Sequence, residues 1–231
     1  MRRDRRLTPS AAVTVPSLRA RLVDVLHELK LDLSDSQVDA LLAYLSLLVR
    51  WNATYNLTAV RQPAEMLTQH LADCLAMVRP LQTHLARASG ARVLDVGSGA
   101  GLPGIVIALT SPRSGVTCVD KVGKKVAFLR HVIGELGLAN VQAEHTRVET
   151  LKGGLFDVIT SRAFSALDAM VTLTGQHLAP SGVWLAMKGK EPLEELLNLP
   201  ADVHVFHVER VHVPGLNAQR CLVWMRLRQS G

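Results

Sequence analysis

The chain has 231 residues, 48% of them hydrophobic and 20% charged, with a formal net charge of +6. That length holds one large domain, or a large domain with an extension, and that balance excludes a disordered polymer. The basic excess tilts the partner towards an anion such as nucleic acid, and the shortage of aromatic residues leaves the core to Leu, Val, Ala and Ile. Cys74, Cys118 and Cys221 are odd in number and far apart. They suggest neither a disulfide framework nor a zinc pair, so a reducing cytoplasm is expected. His204 and His207 are the closest histidine pair, and strand alternation would send them to opposite faces, so no metal site is expected. No uncharged stretch is long enough for a membrane span, and no membrane partner is expected.

In chain order, Arg2, Arg3, Arg5 and Arg6 open a segment, 1–16, that reads as a disordered basic tail. Residues 17–85 read as a helical extension. Leu18, Leu22, Leu26 and Leu29 recur at helical spacing. Ser34 with Gln37 three residues on reads as a capping box before the stripe Leu41, Leu42, Leu45, Leu48 and Val49. The polar stretch 51–60, WNATYNLTAV, should interrupt that helix, and Pro63 should start another running towards Pro80. From Ala91 the rhythm changes to short Val- and Ile-rich runs alternating with helical stretches, the pattern of a parallel α/β sheet, and 86–231 reads as the domain built on it. Strands are expected at ARVLDV, GVTCVD, NVQAE, FDVITS and GVWLAMK, with helices near 102–110, 122–137 and 167–178. Two last strands, near 203–213 and 220–228, have no helix between them and should pair antiparallel.

The strand VLDV runs straight into Gly97-Ser98-Gly99-Ala100-Gly101-Leu102-Pro103-Gly104. A strand-to-helix turn this rich in glycine lets the backbone approach a ligand and frees N–H groups at a helix start. Residues 99–104 also satisfy the G-x-G-x-x-G dinucleotide template, which would point to a nicotinamide oxidoreductase. Against that reading, the template starts late relative to the strand end, and Asp95 stands two residues before the first glycine. Asp120 ends the second strand, where a carboxylate can hold ribose hydroxyls. The run DVGSGAG resembles the first motif of class I S-adenosylmethionine-dependent methyltransferases.

WNATYNLTAVRQPAEML, DVGSGAGLPGIVIAL, GKKVAFLR, RVETL and FDVITSRAFSAL occur in one order, and together they resemble the RsmG (GidB) family. The resemblance runs from about residue 18 nearly to the C-terminus. It implies a Rossmann-like seven-stranded sheet with an N-terminal helical extension, and S-adenosyl-L-methionine as cofactor. It also implies methyl transfer to N7 of guanine 527 of 16S rRNA, with that RNA or the small ribosomal subunit as partner. Matched motif by motif, the cofactor contacts it implies are Gly97, Gly99, Leu102, Val148, Glu149 and Arg162, with Asp120 the ribose partner from the general fold. The chain departs from the family pattern in having Ala100 within the turn and QHLADC at 69–74.

Guanine N7 has an in-plane lone pair and no proton to remove, so the transfer needs no general base and no catalytic residue is assigned. Alignment and exclusion of water should supply the rate. No cysteine lies near the fourth strand, which argues against the covalent route to 5-methylpyrimidines. Phe164 is either a stacking surface for an unpaired guanine or core. Lys188, Lys190 and Arg220 are candidate phosphate contacts. For Arg162 a structural ion pair, for instance with Asp157, is the alternative, and for Val148 it is ordinary packing. A methyltransferase of protein or small molecules, and less readily a nicotinamide enzyme or an RNA-binding module, stay open on the residues alone.

Overall fold

The computed structural model describes residues 15–86, 90–162, 164 and 166–228. Arg2, Arg3, Arg5 and Arg6 of the expected tail lie outside them.

Helix α1 (Val15–Glu28) buries Leu18, Leu22, Val25 and Leu26 on one face. The capping box starts α2 (Asp35–Tyr55): Gln37 N donates to Ser34 Oγ at 3.3 Å, and Ser34 N donates to Gln37 Oε1 at 3.0 Å. Such a cap stabilises a helix by about 1 kcal/mol. Helix α2 does not stop at Trp51, as its polar run suggested, but continues to Tyr55 and closes on Asn56 at φ 49°. The reason is Asn52, which is buried on the inner face. Its Nδ2 donates to Val60 O at 2.9 Å and its Oδ1 accepts from Thr58 N at 2.8 Å. The side chain that reads as a helix breaker folds the following loop back onto the helix.

The helix expected from Pro63 to Pro80 is divided. It consists of α3 (Pro63–Met66), a π-helical turn (Leu67–Ala72) and α4 (Asp73–Leu75). After a break comes α5 (Val78–Leu85). Pro80 lies in the first turn of α5, where N–H groups have no intrahelical partner and a missing one costs nothing.

The seven expected strands form one sheet in the order β3-β2-β1-β4-β5-β7-β6. They are β1 (Arg92–Val96), β2 (Gly115–Asp120), β3 (Val141–His145), β4 (Phe156–Ser161), β5 (Leu178–Lys188), β6 (Val203–Arg210) and β7 (Cys221–Leu227). The first five run parallel, and β7 pairs antiparallel with both β5 and β6. Helices α6 (Gly104–Thr110), α7 (Gly123–Leu136) and α8 (Leu167–Thr174) fill the crossovers, and a short α9 (Leu193–Leu197), not anticipated from the sequence, precedes β6.

Alternation puts Val93, Val116 and Val158 on one face with α1, α2, α6 and α7, and Leu94, Val119 and Ile159 on the other with α8. The helical extension shares the first of these cores with the sheet. Tyr44 of α2 is fully buried in it and donates its hydroxyl to Ala100 O at 2.8 Å, tying the extension to the glycine turn.

One alternation argument fails. A bulge between Val205 and His207 sets His204 opposite Arg226 and His207 opposite Trp224. Residues two apart on β7 share a face, so the extra residue brings both histidines to the same side. Among the described residues no cluster of ligands suits a metal ion, and no helix is long and apolar enough to cross a membrane.

Candidate functional site

Strand order reverses between β1 and β4, and open α/β sheets bind ligands beyond the carboxyl ends of the strands at such a point. The glycine turn leaves β1 there. Gly97 N and Ser98 N both donate to Val119 O, at 2.9 and 3.1 Å, which folds the turn over the end of β2. Asp120 then clamps it. Its Oδ2 accepts from Gly99 N at 2.9 Å, its Oδ1 accepts from Val122 N at 2.8 Å, and Lys125 Nζ stands 3.8 Å away.

The glycines of this turn serve different needs. Gly97 has φ +67°, and a Cβ there would meet nothing within 4 Å. A Cβ on Gly101 would come within 2.5 Å of Ile105 Cγ1, and one on Gly104 within 2.5 Å of Cys118 Sγ. Two glycines of the 99–104 template therefore make room for the protein's own core. Gly97, outside that template, is the one on the wall of the cavity.

The cavity measures about 340 Å³ and is lined by Gly97, Asp120, Lys121, Val148, Glu149 and Phe164, among others. That volume suits a small-molecule site, for which about 300 Å³ and upward is usual. His177 Nε2 holds the Val148 carbonyl at 2.8 Å, and Arg147 Nη2 holds Glu149 Oε1 at 2.9 Å. The residue's own backbone N–H, together with the Arg147 contact, keeps the Glu149 carboxyl below the usual range. The open cradle at Gly97, the carboxylate at Asp120 and the apolar wall at Val148 fit a nucleoside-bearing cofactor. Thr146 and Arg147 also line it and were missed from sequence. Arg147 opens the RVETL block already singled out, and Thr146 stands just before it.

Asp95 faces away from this cavity. Its Oδ2 accepts from Gly104 N at 2.8 Å, and its Oδ1 is the one buried side-chain atom without a partner among the described residues. Burial pushes this carboxyl up to about 7, against the pull of the Gly104 N–H.

Leu102 and Arg162 are not on the cavity wall. Leu102 is buried behind the turn. Arg162 points to the helical extension, where its Nη1 donates to Gln69 O at 2.9 Å and to Asp73 Oδ2 at 3.3 Å. Asp157, the ion-pair partner considered from sequence, instead accepts from Arg92 N at 2.8 Å.

Asp73 is buried and shared, since Arg220 Nε donates to its Oδ1 at 2.6 Å. Neighbouring His70 is held neutral, its pKa lowered to about 4 by burial and by the charge of Arg162. Lys188 Nζ pairs with Glu195 Oε2 at 2.7 Å. Arg162, Asp73, Lys188 and Arg220 line a second cavity of about 340 Å³, and Lys188, Lys190 and Arg220 line one beside it. Asp73 lies in the QHLADC block, and that departure from the family pattern was the one sequence signal for it. Phe164 stands on the first cavity's wall, while Ala163 and Ser165 beside it lie outside the described residues.

Residues 37–223 match the family described as rRNA small subunit methyltransferase G, GidB. The chain belongs to that family. A relative named ribosomal RNA small subunit methyltransferase G, from Acidovorax ebreus (strain TPSY), is 53% identical over 223 residues, covering 94% of this chain and 98% of its own. Its namesake from Methylibium petroleiphilum is 57% identical over 197 residues, 85% of this chain and 89% of the relative. Among solved structures, the N-methyltransferase NodS from Bradyrhizobium japonicum, in complex with S-adenosyl-L-homocysteine, superposes with a TM-score of 0.56. It is 13% identical and covers 78% of this chain and 100% of its own. The fold of the GidB-family chain is thus the class I methyltransferase fold, and family membership decides between the two readings of the glycine run in favour of methyl transfer.

Proposed function

We propose that this chain is an S-adenosylmethionine-dependent methyltransferase that modifies N7 of guanine 527 in 16S rRNA. The observation that carries the reading is the cavity at the sheet's reversal point, with Gly97, Asp120, Val148 and Glu149 on its wall, in a chain of this family. Gly97 lets the backbone close on the cofactor, and Gly99 is locked in place by Asp120. Val148 and Glu149 take the adenine edge, and Asp120 takes the ribose with the lone pairs left over from Gly99 and Val122. Leu102 backs the turn from the core. Arg162, whose charge reaches Asp95, offers a guanidinium to the cofactor's carboxylate.

When bound, S-adenosylmethionine supplies an electrophilic methyl group on a sulfonium. Guanine N7 carries no proton at neutral pH, so the residues of the chain have only to hold N7 in line with the methyl–sulfur bond and exclude water. Lys188, Lys190 and Arg220 line the adjoining cavities and serve as phosphate contacts that bring the RNA to this edge. The small ribosomal subunit is the proposed partner and the cytoplasm the proposed location.

Purified protein and labelled cofactor should modify small subunits at a guanine N7, read out as borohydride- and aniline-dependent strand cleavage. Ribosomal RNA from cells lacking the protein should lack that cleavage. An identical N7 pattern in such cells would overturn the RNA substrate while leaving methyl transfer intact.

The ribose assignment has its own test. Asp120→Ala should weaken cofactor binding by about 1.5–3 kcal/mol, the range for a hydrogen bond to a charged group. In calorimetry a 2′-deoxy analogue should lose much less affinity in the variant than in the parent. Equal losses in both proteins would mean that Asp120 does not face the ribose and serves only the turn.

A further inference from the structure

Helix α2 ends at the carboxyl edge of the sheet, and it ends in aromatic rings. Trp51 and Tyr55, one turn apart, have ring centroids 4.9 Å apart. Trp51 also meets Phe128 and His131 of α7, at 5.5 and 5.2 Å. The inner rings are anchored, since Phe128 is fully buried, whereas Tyr55 is 45% exposed. The outermost member of a supported cluster of tilted rings therefore faces solvent.

Two contacts fix where it stands. Lys124 Nζ, in the first turn of α7, donates to Tyr55 O at 2.9 Å. The next residue, Lys125, lines the cofactor cavity and reaches towards Asp120. On the other side, Asn52 ties α2 to Thr58, and Thr58 Oγ1 meets His70 Nε2 at 2.9 Å. His70 adjoins Arg162. The exposed ring thus lies at the edge that carries both the cofactor cavity and the basic cavity.

Its surroundings are basic. Arg61 and Lys124 are exposed, and among the described residues neither makes an ion pair. Arg61 Nη2 donates to the neutral Asn56 Oδ1 at 2.6 Å. An aromatic face with uncompensated cations around it suits single-stranded nucleic acid, whose bases stack while its phosphates meet the cations. A protein surface of ordinary composition offers no such repeated pairing of flat ring and anion.

We propose that Tyr55, backed by Trp51, is a stacking platform for an unpaired base of the RNA strand flanking the methylated nucleotide, with Lys124 and Arg61 taking its phosphates. The proposal rests on the reading of the chain as an rRNA methyltransferase and adds how the helical extension grips the substrate.

The test uses the full-length protein with a short oligoadenylate and with small ribosomal subunits. The chain has three tryptophans. Trp184 and Trp224 are buried, so quenching of intrinsic fluorescence on binding oligoadenylate reports chiefly on Trp51. Tyr55→Leu should weaken binding of both RNAs about tenfold, within the range for losing one stacked base. Tyr55→Phe should restore it, and cofactor affinity should not change in either variant. Lys124→Gln should reduce the slope of log affinity against log salt by about one. If the parent methylates small-subunit rRNA and Tyr55→Leu binds both RNAs as the parent does, the platform alone is overturned. If the variant loses subunit binding but keeps oligoadenylate, the ring meets a protein, and the platform is equally overturned. A parent that leaves rRNA unmethylated overturns the substrate reading, and the platform with it.

Discussion

A Gly97→Val variant is expected to fold and to lose cofactor binding by at least a hundredfold. Two separate effects act at this position. The backbone stands at φ +67°, a conformation that costs a residue with a Cβ roughly 1–2 kcal/mol. A marginal protein survives that loss, and no atom of the chain lies within 4 Å of the new Cβ to add a clash. The space that the valine would enter is the cavity itself, so the larger effect falls on the ligand. Gly97→Asn separates the two effects, because asparagine tolerates the left-handed region better than other residues with a Cβ. It should keep nearly the parent's stability and still lose the cofactor, since its side chain also fills the cradle. Calorimetry reads the affinity and urea unfolding reads the stability. A folded Gly97→Val protein that binds S-adenosylmethionine as tightly as the parent would remove the glycine turn from the site.

The second large effect is expected at Asp73. This carboxylate is 2% exposed and accepts from two guanidiniums, Arg162 and Arg220. Deleting it leaves two cations facing one another at a partly closed cavity. Removing one partner from a buried pair generally costs about 3–5 kcal/mol. Here the arginine side chains keep 23% and 24% of their exposure, and water can recover part of their solvation. Asp73→Ala should therefore lower the unfolding free energy by about 3 kcal/mol, the lower end of that range. Activity should fall with it, because Arg162 and Arg220 lose the group that orients them. Urea unfolding at unchanged m-value checks the figure. A loss well below that size would mean that the two arginines find other partners and that Asp73 does not hold this edge together.

These two positions differ in how far they could be read before folding. Gly97 is legible because its role depends on its immediate neighbours: a strand end, a carboxylate two residues before, and a turn that only glycine enters cheaply. The Ser34–Gln37 cap and the alternation of β1 with β2 are legible for the same reason. Each is a hydrogen-bonding or packing pattern closed within a few residues, so composition and spacing suffice.

Asp73 is of the other kind. It meets Arg162 across 89 residues and Arg220 across 147, and no local pattern links α4 to the ends of β4 and β7. The same holds for the partners of Arg162, since Gln69 and Asp73 lie about ninety residues before it in the chain. Two local readings also failed for a tertiary reason. Asn52 looked like a helix breaker until its amide found Val60 and Thr58, and one inserted residue in β6 reversed the facing of His207. Sequence alone thus determined the class of fold, the succession of strands and helices along the chain with its antiparallel closing pair, and the glycine turn with its two acids, because short-range geometry specifies them. Which arginine faces which cavity, where the helical extension meets the sheet, and which aromatic ring is left outside were decided only when the sheet brought distant segments to one edge, where burial, and no spacing rule, selects the partners.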